Sequence, residues 1–220
     1  MFPLRDNQPS YSTPVVTISL IVVNMLVFFY EISLGPPENA FIDRYGLTPD
    51  NFHLSAIFTS MFLHSGWLHV LGNMWFLWIF GDNIEDLLGH GKYLLFYLAC
   101  GVAAAITQVF FSVDSTVPMV GASGAIAGVM GAYLVKYPRA RILNLVFILI
   151  FFTTIDVPAW LMLIYWFAIQ FFSGVGSLGS YSNSQGGTAF FAHVGGFIVG
   201  IVLVNLMASR KTYSYGGRYN

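Results

Sequence analysis

Ser123 lies in a run of small residues, Gly121-Ala122-Ser123-Gly124-Ala125, and His193 lies in Ala192-His193-Val194-Gly195-Gly196. A serine hydroxyl is a poor nucleophile until a base takes its proton, and histidine is the usual base. Alone, each residue reads as packing, since a serine in an apolar helix can bond its own i−4 carbonyl. Together they are a candidate nucleophile and base. His69 and Asn73 stand four residues apart, on one face of a helix. Both can offer an N–H to a developing oxyanion, beside the Ser123 backbone at a helix start with unpaired N–H groups. Gly121 and Gly124 allow close backbone approach and leave the hydroxyl accessible.

Other chemistries fit less well. No HExxH occurs, and His64 and His69 have no carboxylate near them in sequence, so no metal and no cofactor is expected. Asp114 and Asp156 fall at loops on opposite sides of the membrane, which excludes an aspartyl pair. Lys136 is 13 residues beyond Ser123, about 20 Å along a helix. Cys100 reads as packing, His64 as structural, and His53 and His90 as solvated loop residues. Gln170 reads as an interhelical hydrogen bond that could also line a cavity.

The elements that must position these groups follow from composition. The 220 residues are 56% hydrophobic and 9% charged, with 21 Phe. Soluble domains carry about 25% charged residues, so this is a polytopic membrane protein. The near-neutral net charge of −1 excludes a nucleic-acid-binding footprint. A single cysteine excludes an intrachain disulfide framework, and no signal peptide is apparent.

A span needs about 20 apolar residues. The pattern predicts spans at 14–34, 67–80, 93–111, 121–135, 158–173 and 189–207. Asn24 in the first span reads as an interhelical hydrogen bond. Residues 35–66 read as a long connection with short interfacial helices. Residues 81–92 read as a polar loop stopped by Gly81 and Gly89. Residues 142–155 read as a shallow or re-entrant segment, and the glycine/serine-rich 174–188 as a mobile lid. The expected organisation is a polar N-terminal tail at 1–13, a six-span domain at 14–208 and a C-terminal tail at 209–220.

Arg5, Lys92, Lys136, Arg139, Arg141, Arg210, Lys211 and Arg218 fall on one side of this arrangement, and Arg44 alone on the other. The positive-inside rule then puts both termini in the cytoplasm. The second, fourth and sixth spans run from outside to inside, bringing His69, Ser123 and His193 to similar depth on one side. Gly196 and Gly200 form a small-xxx-small stripe one turn beyond His193. Gly124, Gly128 and Gly131 answer it on the fourth span, so the two helices can pack closely.

HxxxN at His69–Asn73, GxSG at Gly121–Gly124 and AHxxG at Ala192–Gly196, in that order on alternate spans, resemble the rhomboid family of intramembrane serine proteases. The resemblance covers residues 14 to 208. It implies an all-α, six-transmembrane-helix bundle with a long first outer loop. It implies a Ser123–His193 dyad without a third acid, and an oxyanion site from His69, Asn73 and the Ser123 backbone. It implies substrates that are transmembrane proteins, cut in or near their membrane segments, and a place in a bacterial-type inner or plasma membrane. Glu85 matches a position with a structural role. The chain departs from the family twice. Ser55-Ala56 replaces a Trp-Arg pair, and Ala127 replaces an aromatic residue that stacks on the histidine; Phe190, Phe197 or Trp166 could take over the stacking. The rival reading is a non-catalytic relative that binds membrane helices for quality control.

Overall fold

Apolar stretches of membrane length fold as helices because lipid offers their backbone groups no outside partner. The computed structural model describes residues 2–35, 38–148, 151–177 and 189–208. Its main helices are α1 (Val15–Ser33), α4 (Trp67–Leu88), α5 (His90–Phe111), α6 (Ser123–Lys136), α7 (Ala159–Ser177) and α8 (Phe190–Met207). Four of them, α1, α5, α7 and α8, are long and apolar enough to cross a membrane by length and composition. The short apolar helix α6 is enclosed by the others and packs most extensively against α8 and then α5. The chain is thus an integral membrane protein built as a helical bundle.

The long first connection holds α2 (Glu38–Tyr45), α3 (Ala56–Thr59) and a 3-10 turn at Ser60–Phe62. The first connection is anchored at several points. Leu47 and Met119 exchange backbone hydrogen bonds at 3.0 and 2.8 Å. The Thr59 hydroxyl donates to the Tyr45 carbonyl at 2.6 Å. The His64 N–H donates to the buried Glu31 carboxylate at 3.3–3.4 Å. Glu31 went unassigned in the sequence because its partner is 33 residues away in the chain.

The helical ends differ from expectation at 81–92. The second span does not stop at Gly81; α4 runs on to Leu88. Gly81 is a point of close approach, where an added Cβ would lie 2.8 Å from the Tyr93 hydroxyl and 3.0 Å from Thr17. The real break is Gly89, with φ of 77°. Glu85, in the supposed loop, is fully buried. Its carboxylate accepts the Val16 and Thr17 N–H groups at 2.7 Å each. A carboxylate there satisfies orphan donors at the start of α1 and complements its dipole. Asn24 also departs from expectation: its amide donates to Leu20 O of its own helix at 2.7 Å.

The largest correction is a sheet. The segment read as shallow or re-entrant, 142–155, is extended strand over its described residues 142–148 and 151–155. Here β2 (Arg141–Ile148) pairs antiparallel with β3 (Phe151–Pro158), and β1 (Phe2–Asp6) from the supposed N-terminal tail pairs antiparallel with β2. The stretch is rich in β-branched residues, including Ile142, Val146, Thr153, Thr154, Ile155 and Val157, which favour strands. Trp75 of α4 pins β1, its indole N–H donating to Pro3 O at 2.6 Å. The bundle is therefore mostly helical but not purely so. Of the expected lid, residues 174–177 form the last turn of α7; 178–188, like the C-terminal tail 209–220, lie outside the described residues.

Candidate functional site

Backbone packing between α6 and α8 sets the site. A Cβ on Gly196 would strike the Gly124 carbonyl, and one on Gly200 would strike Gly128. One on Gly131 would strike Phe197 O. Glycine at each position lets the two helix backbones meet, with no room for a side chain. Ser123 opens α6, and His193 lies in the first turn of α8. Gln108 of α5 steadies that turn, its side-chain oxygen accepting the Ala192 N–H at 3.1 Å.

This packing brings Ser123 Oγ to 2.7 Å from His193 Nε2. The other ring nitrogen, Nδ1, is 2.7 Å from Gln170 Oε1 on α7. A carboxamide oxygen only accepts, so this arrangement is the one in which Nδ1 carries the proton and Nε2 faces the serine hydroxyl with its lone pair. His193 is buried at 8% exposure. Of the three aromatics that could replace the stacking lost at Ala127, Trp166 is the one whose ring meets His193, at 5.7 Å and a 40° tilt. Phe197 instead backs Trp166 at 6.1 Å.

His69 and Asn73 converge on the same place from α4. A Cβ on Gly121 would lie 2.7 Å from His69 Nε2 and 3.4 Å from Asn73 Nδ2. Gly121 also has φ of 119°, a region that L side chains rarely adopt. Its N–H donates to Ser60 O at 2.8 Å, which ties the first connection to the serine loop. The Ser65 hydroxyl meets His69 Nδ1 at 3.1 Å, leaving Nε2 to face Gly121. His64 packs edge-on against His69 at 5.1 Å. Burial, and then the neighbouring His69, push His64 down to about 3, so it stays neutral. Asn73 Nδ2 is buried and has no hydrogen-bond partner among the described residues. A small cavity of about 10 Å³ opens beside Ser123, lined by Ser60, Met61, Ala104, Gly124 and Ala192.

Sequence reasoning named Ser123, His193, His69 and Asn73, and it read Gln170 as an interhelical hydrogen bond that could line a cavity; the structure supplies that bond and identifies its partner as His193. A carboxamide at membrane depth was the available signal, since such a group needs a partner there.

Residues 51–210 match the family model described as the Rhomboid domain. The chain belongs to the rhomboid family. It is 33% identical over 126 residues to Rhomboid protease GluP of Bacillus subtilis (strain 168), across 55% of this chain and 24% of that protein. It is 32% identical over 146 residues to Rhomboid protease AarA of Providencia stuartii, across 54% of this chain and 51% of that protein. It is 29% identical over 136 residues to Rhomboid protein 1, mitochondrial, of Saccharomyces cerevisiae, across 59% of this chain and 38% of that protein. This rhomboid spans less than two thirds of the length of each of these relatives.

Proposed function

We propose that this rhomboid is an intramembrane serine endopeptidase that hydrolyses peptide bonds in or near the membrane segments of other proteins. The observation that carries the reading is the 2.7 Å contact from Ser123 Oγ to His193 Nε2. The names of two of its relatives, both rhomboid proteases, support it.

In this reading His193 Nε2 takes the Ser123 proton as Oγ bonds to the scissile carbonyl carbon. The carbonyl oxygen gains negative charge. The Ser123 backbone N–H, His69 and Asn73 Nδ2 stabilise it. The unpartnered Asn73 amide fits a donor whose acceptor exists only during the reaction. The tetrahedral species collapses as the imidazolium gives its proton to the leaving amine nitrogen. A water, deprotonated in turn by His193, cleaves the acyl-enzyme ester and restores Ser123. The basic-residue bias supports a plasma-membrane protein whose segments before α1 and after α8 face the cytoplasm, with Ser123 opening to the outer side.

The test is fluorophosphonate labelling of purified protein together with cleavage of a single-pass transmembrane substrate, comparing wild type with Ser123→Ala and His193→Ala. Wild type should label and cleave; each variant should lose at least about 10³-fold in turnover while retaining its helical circular dichroism. Undiminished cleavage by Ser123→Ala, or failure of wild type in both assays, refutes the protease reading. The second result favours the helix-binding alternative.

A further inference from the structure

Dyad chemistry needs His193 in one tautomer. A neutral imidazole has one donor and one acceptor nitrogen, and only a bare Nε2 can take the Ser123 proton. No carboxylate touches this ring among the described residues. The nearest polar partner of Nδ1 is Gln170 Oε1 at 2.7 Å. We infer that Gln170 is a positioning residue, the third member of the dyad's hydrogen-bond chain, which fixes the Nδ1–H tautomer and the orientation of His193. The inference rests on the protease reading and deepens it.

Three observations point the same way. Gln170 and Trp166 are four residues apart on α7, hence on one helical face, and both meet the His193 ring. One fixes the ring in its plane through a hydrogen bond, and the other limits its tilt. Gln170 also stands in an otherwise apolar run, Ile164 to Phe172, where an amide carries a desolvation cost unless it is paired. Finally, α7 is the least embedded of the four long apolar helices. Its polar contact with α8 thus falls on the one ring that must be held still.

The chemistry sets Gln170 apart from an ordinary interhelical hydrogen bond. As the serine attacks, His193 becomes a cation, and a carboxamide oxygen on Nδ1 stabilises it without a formal charge in the membrane. The same amide turned over would offer N–H to Nδ1 and select the opposite, non-basic tautomer. The tautomer itself is therefore the decisive readout.

The experiment uses the full chain in detergent with ¹⁵N-labelled histidine, the His193 resonance being assigned by its loss in His193→Ala. Wild type should show a neutral His193 protonated at Nδ1. Gln170→Leu should shift the population toward the Nε2–H form and lower kcat about 10- to 100-fold, with KM for the transmembrane substrate within about twofold. Gln170→Glu, which when ionised only accepts from Nδ1–H, should keep Nδ1 protonated and recover most of kcat. An unchanged tautomer in Gln170→Leu overturns the inference, as does a kcat within about twofold of wild type. Inactivity of wild type itself would instead refute the protease reading, and the tautomer measurement would still decide whether Gln170 sets His193.

Discussion

Asn73 Nδ2 has no hydrogen-bond partner among the described residues, although it is buried beside Gly121. A donor held ready in this way contributes most when charge develops on the carbonyl oxygen and little when substrate merely binds. Asn73→Ala should therefore lower kcat by about 10²-fold and leave KM nearly unchanged. A rise in KM with kcat intact would move Asn73 from the oxyanion site to the substrate-binding surface. The four residues that the structure brings together could be picked out in the sequence because each is a chemically able side chain at a recognisable spacing. The partners of Gln170 and Ser65 could not be read there, since they depend on which ring nitrogen each one meets. Sequence could name candidates for the aromatic neighbour of His193 but not choose Trp166 among them, because the choice turns on how α7 is rotated.

At the scale of elements, the α6–α8 pair carries the geometry. A methyl group on Gly196 would press on backbone at Gly124, which cannot rotate away as a side chain could. Overpacking of this kind costs about 1–3 kcal/mol, and a shift of about 1 Å between reacting groups can cost about 10² in rate. Gly196→Ala should thus lower both the melting temperature and kcat, whereas alanine at exposed Gly91, with open space around it, should change neither rate nor packing. Equal activity of the two variants would show that α8 is not held by this contact. The sheet makes a second prediction. Tyr133 donates to Asp6 at the end of β1, and burial raises the Asp6 carboxyl above its usual range. A carboxyl raised by folding favours the folded state at low pH, and that contribution is lost as pH rises through its folded value. Asp6→Asn keeps an acceptor for Tyr133 and removes the titration. Its melting temperature relative to wild type should climb between pH 4 and pH 8, and a difference that stays flat would mean that Asp6 is solvated. The sheet escaped the sequence reading because β1 and β2 pair across about 140 residues, and the apolar run at 142–155 carries no helical or strand period of its own.

For the whole molecule, span order and charge bias were enough to anticipate that alternate helices carry the site residues at one end of the bundle. Ser123 at the start of α6, His69 in the first turn of α4 and His193 in the first turn of α8 share that end. What remains to be tested is which compartment that end faces. Among the described residues, Arg5, Lys92, Lys136, Arg139 and Arg141 lie toward the opposite end of the bundle, and Arg44, in the first connection, lies toward the end that holds Ser123. Loops rich in Lys and Arg stay in the cytoplasm, so Ser123 should open outward. Arg44 and Arg139 are both exposed, and the lone native Cys100 is fully buried, so neither probe position needs a cysteine-free background. In intact cells a membrane-impermeant maleimide should label Arg44→Cys and spare Arg139→Cys, with both labelled after lysis. Labelling of Arg139→Cys alone would invert the molecule. The water and substrate that reach Ser123 would then come from the cytoplasm, and the charge bias would have failed as a guide to its orientation.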